Sequence, residues 1–309
     1  MRFAIFGSGG VGGYYGARLA AAGEDVTFVA RGAHRDAIRS DGLRVTSISG
    51  DVHIRPARAT DDASEIGHVD WVVCAVKAWQ VPEAAAAMRP LLGPETAVLT
   101  LQNGVDAGDQ IRAVAGNGRV VEGATWIMSF IEAPGHIRHA GVEPRIVLGE
   151  RDGDATARVA DLRACWDRAG VKCEVAPDIS AVLWEKFLFI AAVSGIGAVT
   201  RLPVGAYRDV PQSRRLLTAA LEETAAVARA EGVNLPDKVV AKTLAFLDAL
   251  APESTASMQR DIADGRPSEL EAQSGAVSRR GRRAGVATPV HDFLYAALLP
   301  LERRARGAN

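Results

Sequence analysis

A glycine-rich turn near the start of the sequence has residue types and spacing that suit phosphate binding. It reads Gly7-Ser8-Gly9-Gly10-Val11-Gly12, with an apolar run before it and a helical pattern after it. In this G-x-G-x-x-G pattern, Gly7 permits a tight turn, Gly9 leaves room for a pyrophosphate, and Gly12 lets the helix pack closely on the strand. Backbone N–H groups at the helix start would hold the phosphates. The turn therefore predicts a dinucleotide-binding site.

The residue after the second apolar strand indicates which dinucleotide binds. Domains specific for NAD usually place Asp or Glu here, where the carboxylate holds the ribose 2′-hydroxyl. This strand instead ends Phe28-Val29-Ala30 and is followed by Arg31, whose guanidinium can pair with a 2′-phosphate. The sequence therefore predicts NADPH. His34 and Arg35 either add to the phosphate site or lie in a solvated loop.

Lys186 is the strongest candidate for a proton donor. It stands in Leu183-Trp184-Glu185-Lys186-Phe187-Leu188, within the nearly continuous apolar stretch 181–199. Burial among these side chains would lower the pKa of its ammonium toward neutrality, as general acid catalysis requires. The alternative is a long side chain that extends to water along an apolar surface. Glu185 is interpreted as an ion-pair partner.

Three further polar residues lie where predicted strands end or a predicted helix begins. Lys77 comes directly after the strand 71–76, and Asn103 follows the strand 97–101. Ligands of such sheets bind at the carboxyl ends of the strands, so both are candidate binding residues. Glu269 is expected to begin a late helix. Taken alone, an acid in a first helical turn more often compensates the helix dipole than takes part in catalysis.

The elements that must position these residues change in type along the chain. Before residue 177, short apolar strands near 2–6, 25–30, 71–76, 97–101, 120–121 and 146–148 alternate with helical patterns. Later segments, near 179–199, 212–231, 236–250, 254–264, 268–285 and 289–304, have helical length and periodicity. We therefore expect an α/β fold, with a doubly wound, Rossmann-type sheet domain (residues 1–176) followed by an all-α C-terminal domain (residues 177–309). The helical domain is expected to complete the active site.

Composition narrows the function classes further. The 309 residues include 36 basic and 37 acidic side chains, so there is no charge excess of the kind that binds nucleic acid or membranes. The basic clusters 279–280, 282–283 and 303–304 are interpreted as solvated helix faces. Three cysteines without ligand spacing argue against a disulfide framework and a metal site. The N-terminus does not read as a signal peptide, and two adjacent charges in 181–199 argue against a membrane span, so a cytoplasmic protein is expected.

Several of these motifs occur together in one known family. The chain resembles the ketopantoate reductase (2-dehydropantoate 2-reductase) family over essentially its whole length. The resemblance is carried by residues 7–12, Val76-Lys77-Ala78-Trp79-Gln80-Val81, Gln102-Asn103-Gly104, Leu183-Trp184-Glu185-Lys186, and Ser257-Met258-Gln259-Arg260-Asp261 followed by Glu269. The Lys-Ala-Trp-Gln and Trp-x-Lys blocks, in this order and spacing, are the most specific of them.

The resemblance implies a reaction and a role for each residue. Lys186 would be the general acid in an NADPH-dependent reduction of 2-dehydropantoate to pantoate, a step of pantothenate and coenzyme A biosynthesis. Glu269 would hold the hydroxyl end of the substrate, and Ser257 its carboxylate. Asn103 would order the nicotinamide and the lysine, and Lys77 would lie near both cofactor and substrate. Family members resemble both monomers and dimers, so a homodimer is left open.

Three positions depart from the usual pattern of the family. The family often has Asn four and eight residues after the lysine, on the same helix face, and Asn three residues before the serine. Here Ile190, Ser194 and Ser254 occupy those places, and the first two are still predicted to line the substrate site. Another small 2-keto acid or related carbonyl compound is therefore the main alternative substrate. A non-catalytic NADPH-binding sensor is the alternative from another class, but it would not need Lys186 and Glu269 together.

Overall fold

The computed structural model describes residues 1–151 and 156–307. The chain divides into two compact units. The first, called here the sheet unit, comprises Met1–Gln102 and Ala107–Ile179, and the second, the helical unit, comprises Asn103–Asp106 and Ser180–Asn309. The domain boundary predicted between residues 176 and 177 stays a prediction. Residues 152–155 and 308–309 of the two predicted domains lie outside the described part of the chain.

The sheet unit is built on one mixed sheet. The strands described are β1 (Arg2–Phe6), β2 (Asp25–Val29), β3 (Leu43–Ser47), β4 (Val52–Ile54), β5 (Arg58–Thr60), β6 (Trp71–Cys74), β7 (Ala97–Thr100), β8 (Val120–Ala133), β9 (His136–Gly149) and β10 (Lys172–Val175). Their order is β4-β3-β9-β8-β7-β6-β1-β2-β5, and β10 pairs with β9. Neighbours are parallel except β3 with β4 and β8 with β9. The carboxyl ends of β1 and β2 therefore lie at the same edge of the sheet.

Helices cover both faces of this sheet. They are α1 (Gly10–Ala21), α2 (Gly32–Asp41), α3 (Val81–Ala87), α4 (Ala107–Ala115) and α5 (Ala157–Arg168). Phe3 and Ile5 of β1 pack in one core with α1 and α5, whereas Ala4 and Phe6 pack in a second core with α3 and α4. Strands buried on both faces read as continuous apolar runs. The prediction of a doubly wound sheet is confirmed.

Two strands are much longer than the sequence indicated. The strands predicted at 120–121 and 146–148 belong to β8 and β9, which contain 14 residues each and form an antiparallel hairpin. The predicted limits covered only buried residues, although the outer half of β8 also contains apolar side chains, namely Trp126, Ile127, Met128, Phe130 and Ile131. The outer half of β8 is largely exposed, and Phe130 there is 48% exposed. The short limits predicted for both strands are therefore wrong.

The helical unit consists of seven helices within the described residues. They are α6 (Ile179–Thr200), α7 (Val204–Arg208), α8 (Pro211–Ala230), α9 (Val239–Ala249), α10 (Ser257–Ala263), α11 (Ser274–Ala284) and α12 (Pro289–Ala305). The prediction of a helical C-terminal part is confirmed. The short α7 was not predicted, because five residues are too few to show helical periodicity.

Helix α6 is apolar around its whole circumference. Trp184, Phe187 and Leu188 lie in the core of the helical unit together with side chains of α7, α8, α9, α11 and α12. By length and composition α6 could cross a membrane, and 61% of its most apolar window is buried within the protein. An all-round apolar surface is expected of a helix that other helices enclose. α6 is therefore the element on which the environment of Lys186 depends.

Candidate active site

The glycine-rich turn has the geometry that a bound dinucleotide needs. Gly7 follows β1 with φ +95°, and the N–H groups of Gly7 and Ser8 donate to the Val29 carbonyl at 3.3 and 3.2 Å. A Cβ on Gly12 would overlap the Gly7 carbonyl oxygen, whereas a Cβ on Gly9 would meet no atom within 4 Å. Gly12 thus allows close packing, and Gly9 leaves open space beside the first N–H groups of α1. A pyrophosphate fits this arrangement.

Arg31 lies just after β2 and precedes the first residue of α2. Its side chain is 66% exposed and pairs with Glu83 of α3 at 2.8 Å. β2 itself ends without an acid, but Glu83 brings a carboxylate to the guanidinium from another element. Sequence analysis missed Glu83 because it is distant in the chain and belongs to no motif. Only the fold shows that the side chain of Glu83 reaches Arg31.

His34 is bound on both sides of its ring within the sheet unit. Its Nε2 lies 2.8 Å from the Ser8 carbonyl oxygen, and its Nδ1 accepts from the Gly135 N–H at 3.0 Å. Burial lowers the pKa of His34, and the Ser8 carbonyl partly opposes this shift. The neutral ring is thereby favoured, with one nitrogen as donor and the other as acceptor. A contact between His34 and a phosphate would require one of these bonds to break.

Lys77 and Arg35 are two further basic residues of the sheet unit that the sequence offers for the cofactor site. Lys77 is exposed and directly precedes a short 3-10 turn, and its backbone N–H donates to Gln80 Oε1 at 3.3 Å. Arg35, in α2, pairs with Asp61 at 2.5 Å, so it already has a carboxylate partner. The predicted place of Lys77 beside cofactor and substrate stays a prediction.

Three of the predicted residues are joined by hydrogen bonds within the helical unit. Lys186 Nζ donates to Asn103 Oδ1 at 2.9 Å, and Asn103 Nδ2 donates to Glu269 Oε2 at 3.2 Å. The amide can serve both partners because its oxygen accepts and its nitrogen donates. Burial lowers the pKa of Lys186 to about 8, and the charge of Glu269 partly opposes this shift. The lysine can therefore exchange a proton near neutral pH.

Asn103 belongs to this cluster because the segment Asn103–Asp106 is part of the helical unit. Val105 lies in the hydrophobic core of that unit, and Asp106 pairs with Arg280 of α11 at 2.6 Å. The Arg280 side chain is only 12% exposed and also pairs with Glu231. The interpretation of 279–280 as a solvated helix face is therefore wrong for Arg280. A guanidinium between two carboxylates can be buried because its charge is compensated.

Glu269 does not begin a helix, so that expectation is wrong. α11 begins at Ser274, and residues 269–273 form turns and bends instead. The Ser268 N–H and hydroxyl both bind the Glu302 carboxylate. These side-chain bonds hold the chain in a non-helical path. Glu269 is 4% exposed, and its carboxylate accepts from the Asn103 amide rather than lying in the first turn of a helix.

The remaining substrate-site candidates lie on α6 and at the start of α10. Ile190 and Ser194 follow the lysine by one and two turns of α6, as their spacing predicts. Ile190 is half-buried and Ser194 is buried. Ser257 is the first residue of α10 and is half-buried, and Ser254 is three residues earlier. The roles of all four toward a substrate stay predictions.

Within residues 1–151 and 156–307, no group of three or more His, Cys, Asp or Glu could hold a metal ion. Cys74, Cys165 and Cys173 are free and buried. Burial raises the pKa of the Cys74 thiol to about 11, so it stays protonated and weakly nucleophilic at neutral pH.

Comparisons with known proteins cover nearly the whole chain. A family model described as ketopantoate reductase PanE/ApbA matches residues 3–153, and its C-terminal counterpart matches residues 178–302. A 2-dehydropantoate 2-reductase of Mesorhizobium japonicum is 34% identical, over 98% of this chain and 97% of its own. A Bacillus subtilis protein described as uncharacterized oxidoreductase YkpB is 30% identical, over 96% and 98%. The crystal structure of a PanE/ApbA family ketopantoate reductase from Ralstonia eutropha JMP134 has a TM-score of 0.91 and 33% identity, covering 99% of this chain and 100% of that one.

Proposed function

Because the chain belongs to the ketopantoate reductase family, and is therefore an oxidoreductase that uses a nicotinamide cofactor, we propose that it reduces 2-dehydropantoate to pantoate with NADPH. The observation that carries this proposal is the hydrogen-bonded series Lys186, Asn103 and Glu269. A protein that only senses NADPH has no need of a half-buried lysine in such a series. The product would enter pantothenate and coenzyme A biosynthesis.

Lys186 is the proposed general acid. A bound nicotinamide cofactor supplies hydride to the carbonyl carbon, and the carbonyl oxygen then requires a proton. Asn103 Oδ1 accepts from the lysine Nζ and so fixes the direction of the side chain. With a pKa of about 8, the ammonium is largely protonated at neutral pH and can regain its proton from water after each turnover.

Glu269 is proposed to bind the substrate's hydroxyl group. One of its oxygens, Oε2, accepts from Asn103, and a carboxylate can accept further bonds from a hydroxyl donor. The residue is 4% exposed, so water competes little and the bond to a substrate hydroxyl is strengthened. Ser257, at the start of α10, is proposed to contact the substrate carboxylate, with Lys77 and Asn103 lying near both cofactor and substrate.

The proposed preference for NADPH over NADH depends on Arg31. Its guanidinium is largely exposed and can pair with a 2′-phosphate, while residues 7–12 hold the pyrophosphate. Glu83, which pairs with Arg31 at 2.8 Å, would compete with that phosphate for the guanidinium. Its carboxylate could also accept a hydrogen bond from the ribose 2′-hydroxyl of NADH, as the acid at the end of the second strand does in NAD-specific domains. We therefore expect NADPH to be preferred by a limited factor.

Ile190 favours a second candidate substrate. It places an alkyl group one turn after Lys186, at a position where the ketopantoate reductase family often has an amide. Ser194, one turn later, has only a small buried hydroxyl. A more apolar wall would accept another small 2-keto acid or related carbonyl compound. Reduction of such a compound by the same cofactor and the same lysine is therefore the alternative proposal.

Steady-state NADPH oxidation with single acceptors tests both candidates. 2-Ketoisovalerate is the matched control for 2-dehydropantoate, because it lacks the hydroxyl group assigned to Glu269. A kcat/KM of about 10⁴ M⁻¹s⁻¹ or more for 2-dehydropantoate alone supports the first proposal. A comparable value for 2-ketoisovalerate or pyruvate supports the second. Retained NADPH binding without turnover of any acceptor would contradict both and favour a sensor.

The remaining expectations are kept as proposals. The chain is proposed to act as a cytoplasmic protein with domains at residues 1–176 and 177–309, and as a homodimer. Phe293 on α12 is 56% exposed, whereas Leu294 and Leu298 of the same helix are buried in the protein core, so a dimer interface on α12 would have to include its exposed face. Size-exclusion chromatography with light scattering measures the assembly. A monomer at micromolar concentration would contradict the dimer.

A further inference from the structure

His34 makes two hydrogen bonds that the roles proposed so far do not explain. It lies at the start of α2, three residues after Arg31, but its ring is bound to Ser8 and Gly135. We propose that His34 is a positioning residue for the cofactor: by holding the Ser8 carbonyl, it directs the Gly9 N–H toward the pyrophosphate. This inference rests on the proposed dinucleotide site and extends it to a residue on the opposite side of the Ser8–Gly9 peptide.

The tautomer of His34 follows from its two partners. The Gly135 N–H donates to Nδ1 at 3.0 Å, so Nδ1 carries no proton. The ring proton of the neutral imidazole is therefore on Nε2, which lies 2.8 Å from the Ser8 carbonyl oxygen and donates to it. The turn between β8 and β9 thus selects the tautomer that the glycine-rich turn requires. Half-burial of the ring also disfavours its charged form.

The direction of the Gly9 N–H follows from the planarity of the peptide bond. In a trans peptide the C=O and the next N–H point in opposite directions. Since the Ser8 carbonyl points toward His34, the Gly9 N–H points to the other side of the turn. A Cβ on Gly9 would meet no atom within 4 Å, so there is open space beside this residue. His34 therefore holds a backbone donor toward the space that a pyrophosphate would fill.

The rest of Ser8 is already fixed by its neighbours. Its N–H donates to the Val29 carbonyl at 3.2 Å, and its hydroxyl donates to the same carbonyl at 3.1 Å. The carbonyl is the remaining polar group of the residue, and His34 is its partner. Glycine-rich turns have large conformational freedom, so a fixed peptide reduces the entropy that cofactor binding must otherwise remove.

Two substitutions separate the bonds of the ring. In His34→Gln the side-chain amide nitrogen can take the place of Nε2, which keeps the donor to Ser8. In His34→Asn the amide oxygen can take the place of Nδ1, which keeps the acceptor for Gly135 but loses that donor. We expect the Kd for NADPH to rise about tenfold in His34→Asn and less than about threefold in His34→Gln. We expect kcat at saturating NADPH to stay unchanged in both.

Fragments of the cofactor locate the effect. Titration calorimetry with ADP-ribose, which contains the pyrophosphate, should show the same loss in His34→Asn as NADPH. Titration with 2′-AMP, which lacks the pyrophosphate and depends on Arg31, should show none. His53→Asn is the matched control, because His53 Nε2 also binds a backbone carbonyl, that of Asp41, at 2.9 Å. Its affinity for NADPH should remain that of the original protein.

Three results would overturn the inference. One is an unchanged NADPH Kd in His34→Asn. Another is an equal loss of affinity in His34→Asn and His34→Gln with a parallel fall in Tm, since this would indicate a structural role alone. The third is equal weakening of ADP-ribose and 2′-AMP. If the unaltered protein binds neither NADPH nor ADP-ribose, the proposed cofactor site fails, and the role of His34 fails with it.

Discussion

The glycine-rich turn and the lysine cluster both present polar groups to a ligand, but different parts of the chain hold them. In the turn, residues 7–12 are consecutive and offer backbone N–H groups. Their close packing is possible because Gly7 and Gly12 have no side chain. In the cluster, Asn103, Lys186 and Glu269 are far apart in sequence and offer side chains in a partly buried, hydrogen-bonded series. We therefore expect substitutions that add atoms to disrupt the turn, and substitutions that remove side-chain atoms to disrupt the cluster.

The largest effect is expected when the lysine is removed. Lys186→Ala should lower kcat by about 10²–10⁴-fold, because the carbonyl oxygen loses its proton donor. The Kd for NADPH, measured by fluorescence titration, should change little. Lys242→Ala is the matched control. Lys242 is an exposed lysine of α9 that pairs at 3.1 Å with Glu185, the neighbour of Lys186 on α6. Normal turnover by Lys186→Ala would remove the lysine from the mechanism.

Two alanine substitutions in the turn should affect different properties, one the stability of the protein and the other its affinity for NADPH. In Gly12→Ala the new methyl group would overlap the Gly7 carbonyl oxygen, so the free energy of unfolding should fall by about 1–3 kcal/mol. In Gly9→Ala there is space for the methyl group, and φ is −73°, so Tm should be unchanged. NADPH should nevertheless bind about tenfold or more weakly, because the methyl group fills the space for the pyrophosphate. An equal fall in Tm in both variants would contradict this distinction.

A smaller effect is expected at the pair Arg31 and Glu83. Arg31→Ala should lower the ratio of kcat/KM for NADPH to that for NADH about tenfold, and Glu83→Gln should raise it about threefold. The physical reason is that Glu83 competes with a 2′-phosphate for the guanidinium. Glu95→Gln, at an exposed acid of the same unit, is the control and should leave the ratio unchanged. If Glu83→Gln behaves like Glu95→Gln, Glu83 plays no part in cofactor choice.

The pH dependence of reduction should report the state of the lysine. Lys186 has a pKa lowered to about 8, and only its protonated form can donate, so kcat/KM should fall as pH rises through about 8. Glu269 raises the pKa of Lys186, so Glu269→Gln should shift the fall to lower pH. Rates between pH 6 and 10 with 2-dehydropantoate measure both profiles. A flat profile over that range would exclude Lys186 as the titrating acid.

The two sites also differ in how much of them the sequence predicts. The turn, β1 and the start of α1 could be predicted because consecutive residues specify them through local sterics and periodicity. Lys186 stood out because the charged pair Glu185-Lys186 interrupts an apolar helix. The contact of Asn103 with Lys186 and Glu269 could not be derived from spacing, since it depends on how distant segments pack. The resemblance to a known family suggested that Asn103 orders the lysine, but nothing suggested its contact with Glu269.

The features that sequence analysis missed have a common physical origin. Glu83 and the buried Arg280 acquire their roles from charged partners on other elements. The late start of α11 depends on bonds between Ser268 and Glu302, which a helical pattern does not reveal. In each case tertiary partners, rather than local preference, determine the structure.

The segment Asn103–Asp106 has a consequence for the order in which the protein can be completed during synthesis. It leaves the ribosome before any residue of α6 or α11, yet it belongs to the unit that those helices form. Asp106 must therefore remain without Arg280 until nearly the whole chain has emerged, and Asn103 without Lys186 until α6 has emerged. The helical unit is assembled from two stretches of the gene, so a fragment that begins at Ser180 lacks part of its own structure. Recombination between relatives that exchanges only the C-terminal half would separate these partners.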